Sequence, residues 1–374
     1  MIFKDAFERY KAGEATPEEV AMIESELEKN QLISEFLEEE LDQSYASNAE
    51  PSVELNLVKK AIRRRSLNIV LISVMIMAVL ALLIPFAVKP LINDQYYNPM
   101  TMKYDEFAYD IDFSLIAYTE LHQAGYYYAN SMIENTEIGK YSLTLSRYNF
   151  FKGEQEYLTA SLDKNKLTLP YSFEASNLSM NIFDRAAAPS YSLPTDSKEW
   201  YLQKIKELPD YINVTAAVSF SRDLTMEELV DLKKTSRTLF VWAGIRNAPE
   251  DEQLYPLCGM ELTGSGYIYE GINKKYPCFE LATLSKSNGD TKSTDYETHF
   301  FSLLNYSLDH TKFLEMLPSD RDWPRYYQSV LDYVSAQGVK TYGVMVQGSP
   351  SDILALQESG IVSQIWPMDA NIGF

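Results

Sequence analysis

The sequence predicts a three-part chain of helical arm, single transmembrane helix and α+β ectodomain, and three observations carry that fold class. Residues 67–88, LNIVLISVMIMAVLALLIPFAV, hold no charge, and at ~1.5 Å rise per residue they reach ~33 Å, enough for one membrane crossing. The 58 residues at the start are acidic and helix-patterned. Beyond residue 206 two strand-helix-strand patterns recur, which suggests a ferredoxin-like split βαβ core. The expected domains are 1–58, a cytoplasmic helical arm; 59–66, a basic juxtamembrane segment; 67–88, the span; 89–205, a tyrosine-rich β-containing region; and 206–374, an α+β domain.

Orientation follows from the flanks of the apolar run. Lys59, Lys60, Arg63, Arg64 and Arg65 precede it and Lys89 alone follows closely, and the side rich in Lys and Arg stays cytoplasmic. The expected localisation is therefore the cell membrane, with the N-terminus inside and the C-terminal part outside. A cleaved signal peptide fits poorly, because the run is long for an h-region and FAVKPLIND offers no small-x-small cleavage site. A buried helix of a soluble domain is seldom apolar on every side over six turns.

In the arm, Phe3, Phe7 and Tyr10 share one helical face, and Gly13 stands where that helix would end. Thr16 then caps a second helix, with Pro17 at its first position and Glu19 completing a Thr-x-x-Glu box. Val20, Ile23 and Leu27 form its apolar stripe; Leu32, Phe36 and Leu37 keep helical spacing after Asn30, which predicts two or three short helices. So few apolar residues make a thin core, so the same positions serve a weak core, a partner surface, or both. No His or Cys precedes His122, so no zinc staple is available to this arm. The acidic residues of the arm, set against only Lys4, Arg9, Lys11 and Lys29, repel nucleic acid and favour a basic protein surface. A merely solvated helical face is the plainer reading of the same charge.

The ectodomain is predicted to open on an aromatic stretch. Tyr96 and Tyr97 suit a membrane interface. Tyr109, Ile111 and Phe113 alternate with Asp110 and Asp112, as Tyr141, Leu143 and Leu145 alternate with polar neighbours, and period two signals strands. The tyrosines here are read as core rather than as a ligand groove. TAAVSFS and TLFVWAGI read as strands about a helix capped by a Thr225–Glu228 box, and TYGVMVQG and IVSQIW as strands about a helix capped by Ser349. Two further helices are expected around 296–317 and 324–336. Cys258 and Cys278 are the two cysteines; a disulfide between them and a pair of unlinked thiols are equal readings.

The catalytic inventory is poor, and no enzyme activity and no cofactor are expected. His122, His299 and His310 stand far apart with no paired-ligand spacing, and no G-x-S-x-G or G-x-x-x-x-G-K-[ST] occurs.

The arm FKDAFERYKAGEATPEEVAMIESELEKNQLISEFLEEEL resembles the N-terminal segment of the sigma factor regulator family of Gram-positive bacteria. TAAVSFSRDLTMEELVDLKKTSRTLFVWAGI and VKTYGVMVQGSPSDILALQESGIVS resemble that family's C-terminal domain, as do YTELHQAGYYY and IGKYSLTL. The resemblance implies a membrane-bound anti-sigma factor whose arm sequesters an alternative, extracytoplasmic-function type sigma factor and whose ectodomain senses an envelope protein or ligand. Phe3, Phe7, Tyr10, Val20, Ile23 and Leu27 are then the expected partner anchors, with no direct nucleic-acid contact and with the bilayer as second partner. The arm lacks the His-x-x-x-Cys-x-x-Cys of zinc-containing anti-sigma domains. The competing reading is an anchored receptor whose arm is only a tether.

Overall fold

The computed structural model describes residues 7, 9–11, 15–46, 53–83, 95–174, 183, 195–250, 252, 254, 256–264, 269–281, 291–318 and 321–372. It divides into two compact units, Met1–Ile84 and Pro85–Phe374.

The first unit is helical. Helix α1 is Pro17–Ala46 and helix α2 is Val53–Leu83. Thr16 and Glu19 form the expected reciprocal cap: the Glu19 amide donates to Thr16 Oγ1 at 3.3 Å, and the Thr16 amide donates to Glu19 Oε2 at 3.0 Å. Helix α1 runs on through Asn30 as one element, longer than the short helices expected. The Asn30 side chain donates to the Glu26 carbonyl one turn back at 2.9 Å, so it lies along the helix rather than competing with it.

The expectation of a membrane-crossing helix is corrected: among the described residues no helix is long and apolar enough to cross a membrane. The polar first half of α2 holds the basic cluster, and only residues 67–83 of the apolar run lie in the described helix. That stretch rises ~25 Å, against ~30 Å of hydrocarbon. Residues 84–88 and Lys89 lie outside the described residues. The fold class is thus a mixed α/β one with two antiparallel sheets.

The second unit begins with helix α3, Asp110–His122, in which every residue is buried. The strand expected at 109–113 is therefore a helix. The two acids of its first turn reach donors where solvent is absent: Asp112 accepts from Tyr128 Oη at 2.8 Å, Ser131 Oγ at 2.7 Å and the Tyr109 amide at 3.1 Å, and Asp110 accepts from the Lys103 amide at 2.7 Å. Strands β1 (Tyr126–Glu137), β2 (Lys140–Asn149), β3 (Glu154–Asp163) and β4 (Lys166–Thr168) follow as an antiparallel meander. Tyr141, Leu143 and Leu145 point from β2 into the core. Tyr96 and Tyr97, expected at a lipid interface, pack on this sheet: the Tyr96 ring lies over Gly139, and the Tyr97 amide donates to Asn165 Oδ1 at 2.9 Å.

After helix α4, Thr195–Lys206, come β5 (Ile212–Thr225), α5 (Met226–Thr235), β6 (Leu239–Ile245) and β7 (Gly259–Glu261). Helices α6 (Glu270–Lys275), α7 (Ser293–Asp309), α8 (Thr311–Met316) and α9 (Trp323–Gln337) precede β8 (Lys340–Gly348), α10 (Pro350–Ala355) and β9 (Val362–Ile372). The strand order is β7-β6-β8-β5-β9 with every neighbour antiparallel. Strand β8 sits between β5 and β6, and β5 between β8 and β9, so both strand-helix-strand units interleave in one sheet, a split βαβ arrangement. The Thr225–Glu228 box and the Ser349 cap start their helices as the spacing predicts.

Both faces of this sheet are covered. Val214, Ala216, Val218, Phe240, Val344 and Val346 join a core shared with α3, α7 and the four-stranded sheet, while Ala217, Val241, Tyr342 and Met345 join a second cluster on the other face. Burial on both sides is why TLFVWAGI reads as one apolar run rather than alternating. At one edge β7 has three residues; at the other, β9 carries Pro367 opposite Ala216, with Tyr201 of α4 lying 4.5 Å from the Trp366 ring.

Candidate partner-binding arm

Helix α1 begins where Thr16, Pro17 and Glu19 dictate, with Glu18 and Glu19 in the first turn, where negative charge suits the exposed amide ends. Arg9 clamps Glu19 from the preceding segment, Nη2 to Oε1 at 2.5 Å and Nε to Oε2 at 3.4 Å. The hydrogen bonds from Arg9 and Thr16 hold the Glu19 carboxyl below the usual carboxylate range. Phe7 and Tyr10 stack with ring centroids 6.5 Å apart, and Lys11 Nζ stands 4.6 Å over the Phe7 ring.

The expected anchors divide by burial. Ile23 is fully buried, Val20, Phe7 and Tyr10 are half-buried, and Leu27 is exposed; Phe3 lies outside the described residues. Val20, Ile23 and Leu27 fall within ~60° of each other around a helix of 3.6 residues per turn, and this arc turns partly into the arm's own packing. A different arc is free. Met22, Leu32, Ile33 and Phe36 are 42%, 60%, 56% and 61% exposed, and they lie within ~100° of one another, roughly opposite the first stripe. Met22 and Ile33 carry no spacing signal alone. Their face becomes readable once α1 is one continuous helix, because Leu32 and Phe36 stand at i and i+4. Glu24, Glu28 and Glu35 remain exposed nearby, so this apolar face sits in an acidic frame.

Of the basic residues expected to set orientation, Lys60, Arg63, Arg64 and Arg65 are exposed on α2, and the Lys59 side chain lies outside the described residues. Cys258 and Cys278 are free thiols. Burial pushes the Cys258 thiol up to about 12, which leaves it an inert core group.

The three histidines are tied into the second unit. His122 Nδ1 lies 2.7 Å from the Leu257 carbonyl and Nε2 2.7 Å from Tyr327 Oη. His299 Nδ1 lies 2.8 Å from the Cys278 carbonyl, and His310 bridges Tyr104 Oη at 2.9 Å and the Tyr306 carbonyl at 2.7 Å. Among the described residues no group of three or more His, Cys, Asp or Glu is arranged to hold a metal ion.

Residues 205–365, which hold β5 to β8, the start of β9 and the helices between them, match the family model "Sigma factor regulator C-terminal". The C-terminal part of the chain is thus similar to the sigma factor regulator family. The chain is also similar to the probable anti-sigma-M factor YhdL of Bacillus subtilis (strain 168), 22% identical over 388 residues that cover 99% of this chain and 97% of that one. No solved structure matches this chain.

Proposed function

We propose that the chain is a regulator without catalytic activity that sequesters an alternative sigma factor of the extracytoplasmic-function type. Residues 1–58 act in the cytoplasm, where the transcription machinery is, and the second unit responds to an envelope signal. The observation that carries the reading is the free face of Met22, Leu32, Ile33 and Phe36 on an acidic helix. An apolar helix face supplies affinity by entering a groove, and the surrounding carboxylates steer a basic partner toward it. The likeness to a probable anti-sigma factor extends over the arm as well as the C-terminal domain, which supports assigning the partner site to the arm. Phe7, Tyr10, Val20, Ile23 and Leu27 then shape the arm, with Leu27 at the rim.

The test is capture from lysate of the same cells. The full chain should retain a sigma factor, and Ile33→Ser with Phe36→Ser should lose it by 10-fold or more in affinity, the usual scale for two apolar anchors, while circular dichroism of the arm stays unchanged. If the native chain captures no sigma factor, and deletion of residues 1–58 changes no transcription, the arm is a tether and the chain a receptor.

A further inference from the structure

Three buried carboxylates and one buried imidazole lie near enough in the core of the second unit to act on one another electrostatically, with Glu120 and His299 in direct contact. Glu120 comes from α3, Glu261 ends β7, Glu280 follows α6, and His299 lies on α7; they are 2%, 4%, 2% and 1% exposed. His299 Nε2 stands 2.8 Å from Glu120 Oε2, and neither atom has another hydrogen-bond partner among the described residues. Glu261 accepts from the Thr263 amide at 2.8 Å, the Gly264 amide at 3.1 Å and the Thr263 hydroxyl. Main-chain contacts fasten the cluster: His299 Nδ1 to the Cys278 carbonyl, and Trp242 Nε1 of β6 donating to the Glu120 carbonyl at 2.7 Å.

We propose that Glu120, Glu261, Glu280 and His299 form a proton-filled latch that joins α3, β7 and α7 at neutral pH and loosens as the pH rises. Fully ionised, the group would bring three negative charges and at most one positive charge out of water, which burial makes untenable. Among the described residues, the elements around it supply little further positive charge. Lys233 of α5 faces Glu261 but spends its ammonium on the Leu262 carbonyl and Tyr296 Oη, both at 2.8 Å. Among the described residues the phenols Tyr127 of β1 and Tyr296 of α7 also face the cluster, and Tyr269 beside α6 acts on Tyr127.

Protons are therefore retained. Burial and the Glu120 charge push Glu261 up to about 8, and burial with Glu120 and Glu261 raises Glu280 well above the carboxylate range. Burial alone would lower His299, but Glu120 beside it raises it instead. All three hold protons that the unfolded chain releases at lower pH. Their stabilisation is complete below the unfolded values, near 4.5 for the acids and 6.5 for His299, and it is lost as the pH rises through the folded ones. The released protons go to water, and the repulsion left behind parts β7, a three-residue strand at the sheet edge, from α3.

The experiment uses the full chain and follows its thermal midpoint between pH 7 and 9. The midpoint should fall by on the order of 5 °C for the wild type, as one or two held protons are lost from a unit of this size. In Glu261→Gln with Glu280→Gln, whose amides imitate the protonated acids, the fall should shrink by half or more. A flat wild-type profile, or a double variant that tracks the wild type, overturns the latch. Should the double variant not fold, hydrogen exchange on the wild type decides. After correction for intrinsic rates, protection at β7 and the facing turn of α3 should drop more between pH 7 and 9 than at β5 and β8, and a uniform drop overturns the proposal. Neither readout involves a sigma factor, so the result stands apart from the function proposed for the arm.

Discussion

Replacing Thr16 by alanine removes the hydroxyl that accepts the Glu19 amide, leaving that donor to water, and α1 should lose ~1 kcal/mol of helix stability. Thermal melts of the arm followed by circular dichroism measure it, and Thr16→Ser should restore the loss. His122 gives a pH dependence of opposite sign to the latch. Burial lowers its pKa to about 4, so its contribution is complete above the unfolded value near 6.5 and disappears as the pH falls toward 4, on the order of 3 kcal/mol in all. Denaturation of the second unit at pH 7 and pH 5 should show a loss in the wild type that His122→Gln lacks. Nothing in the sequence marks His122 for this role, since its partners come from Leu257 and Tyr327, more than a hundred positions away. The Thr16 cap was legible because all of its partners lie within four residues.

At the scale of elements, local signals served well where a cap closes its hydrogen bonds within a turn or where the apolar spacing of a strand reports which faces it buries. The caps at Thr16, Thr225 and Ser349 and the strands β2, β5, β6, β8 and β9 were all readable from spacing. The misreading at 109–113 has a physical origin: two acids alternating with Tyr109, Ile111 and Phe113 look like a half-solvated strand, yet Asp110 and Asp112 are buried and satisfied by distant donors. Asp112→Ala should strand Tyr128 Oη and Ser131 Oγ in the core and cost ~2 kcal/mol or more, read from chemical denaturation midpoints. Strand β7 depends on a close approach. A Cβ at Gly259 would overlap the Ala243 carbonyl oxygen and the Trp242 ring, so Gly259→Ala should destabilise the second unit by ~1–3 kcal/mol in the same measurement. The free face of α1 was half legible, through Leu32 and Phe36, and hidden by the expectation of two or three short helices in place of one long one.

For the whole molecule, composition spoke to charge and class better than to the length of one helix. Counting uncharged residues gave a span of 67–88, whereas the described helix ends at Leu83 and begins in a polar, basic half. The sigma-binding reading makes its own prediction at this scale: removing residues 1–58 should raise transcription from promoters of the bound sigma factor, while reversing charge at Glu24 and Glu28 should chiefly slow association and weaken its salt dependence.

The five-stranded sheet is finished at both margins. Strand β7 offers a visitor three residues of main chain, and β9 interrupts its row of amides with Pro367 and lies against α4. Such a sheet cannot extend itself by recruiting a strand from another molecule. Copies crowded together will not zip into fibrils along these margins. A peptide held against this sheet would be gripped by side chains and not by a borrowed ladder of main-chain bonds along its margins.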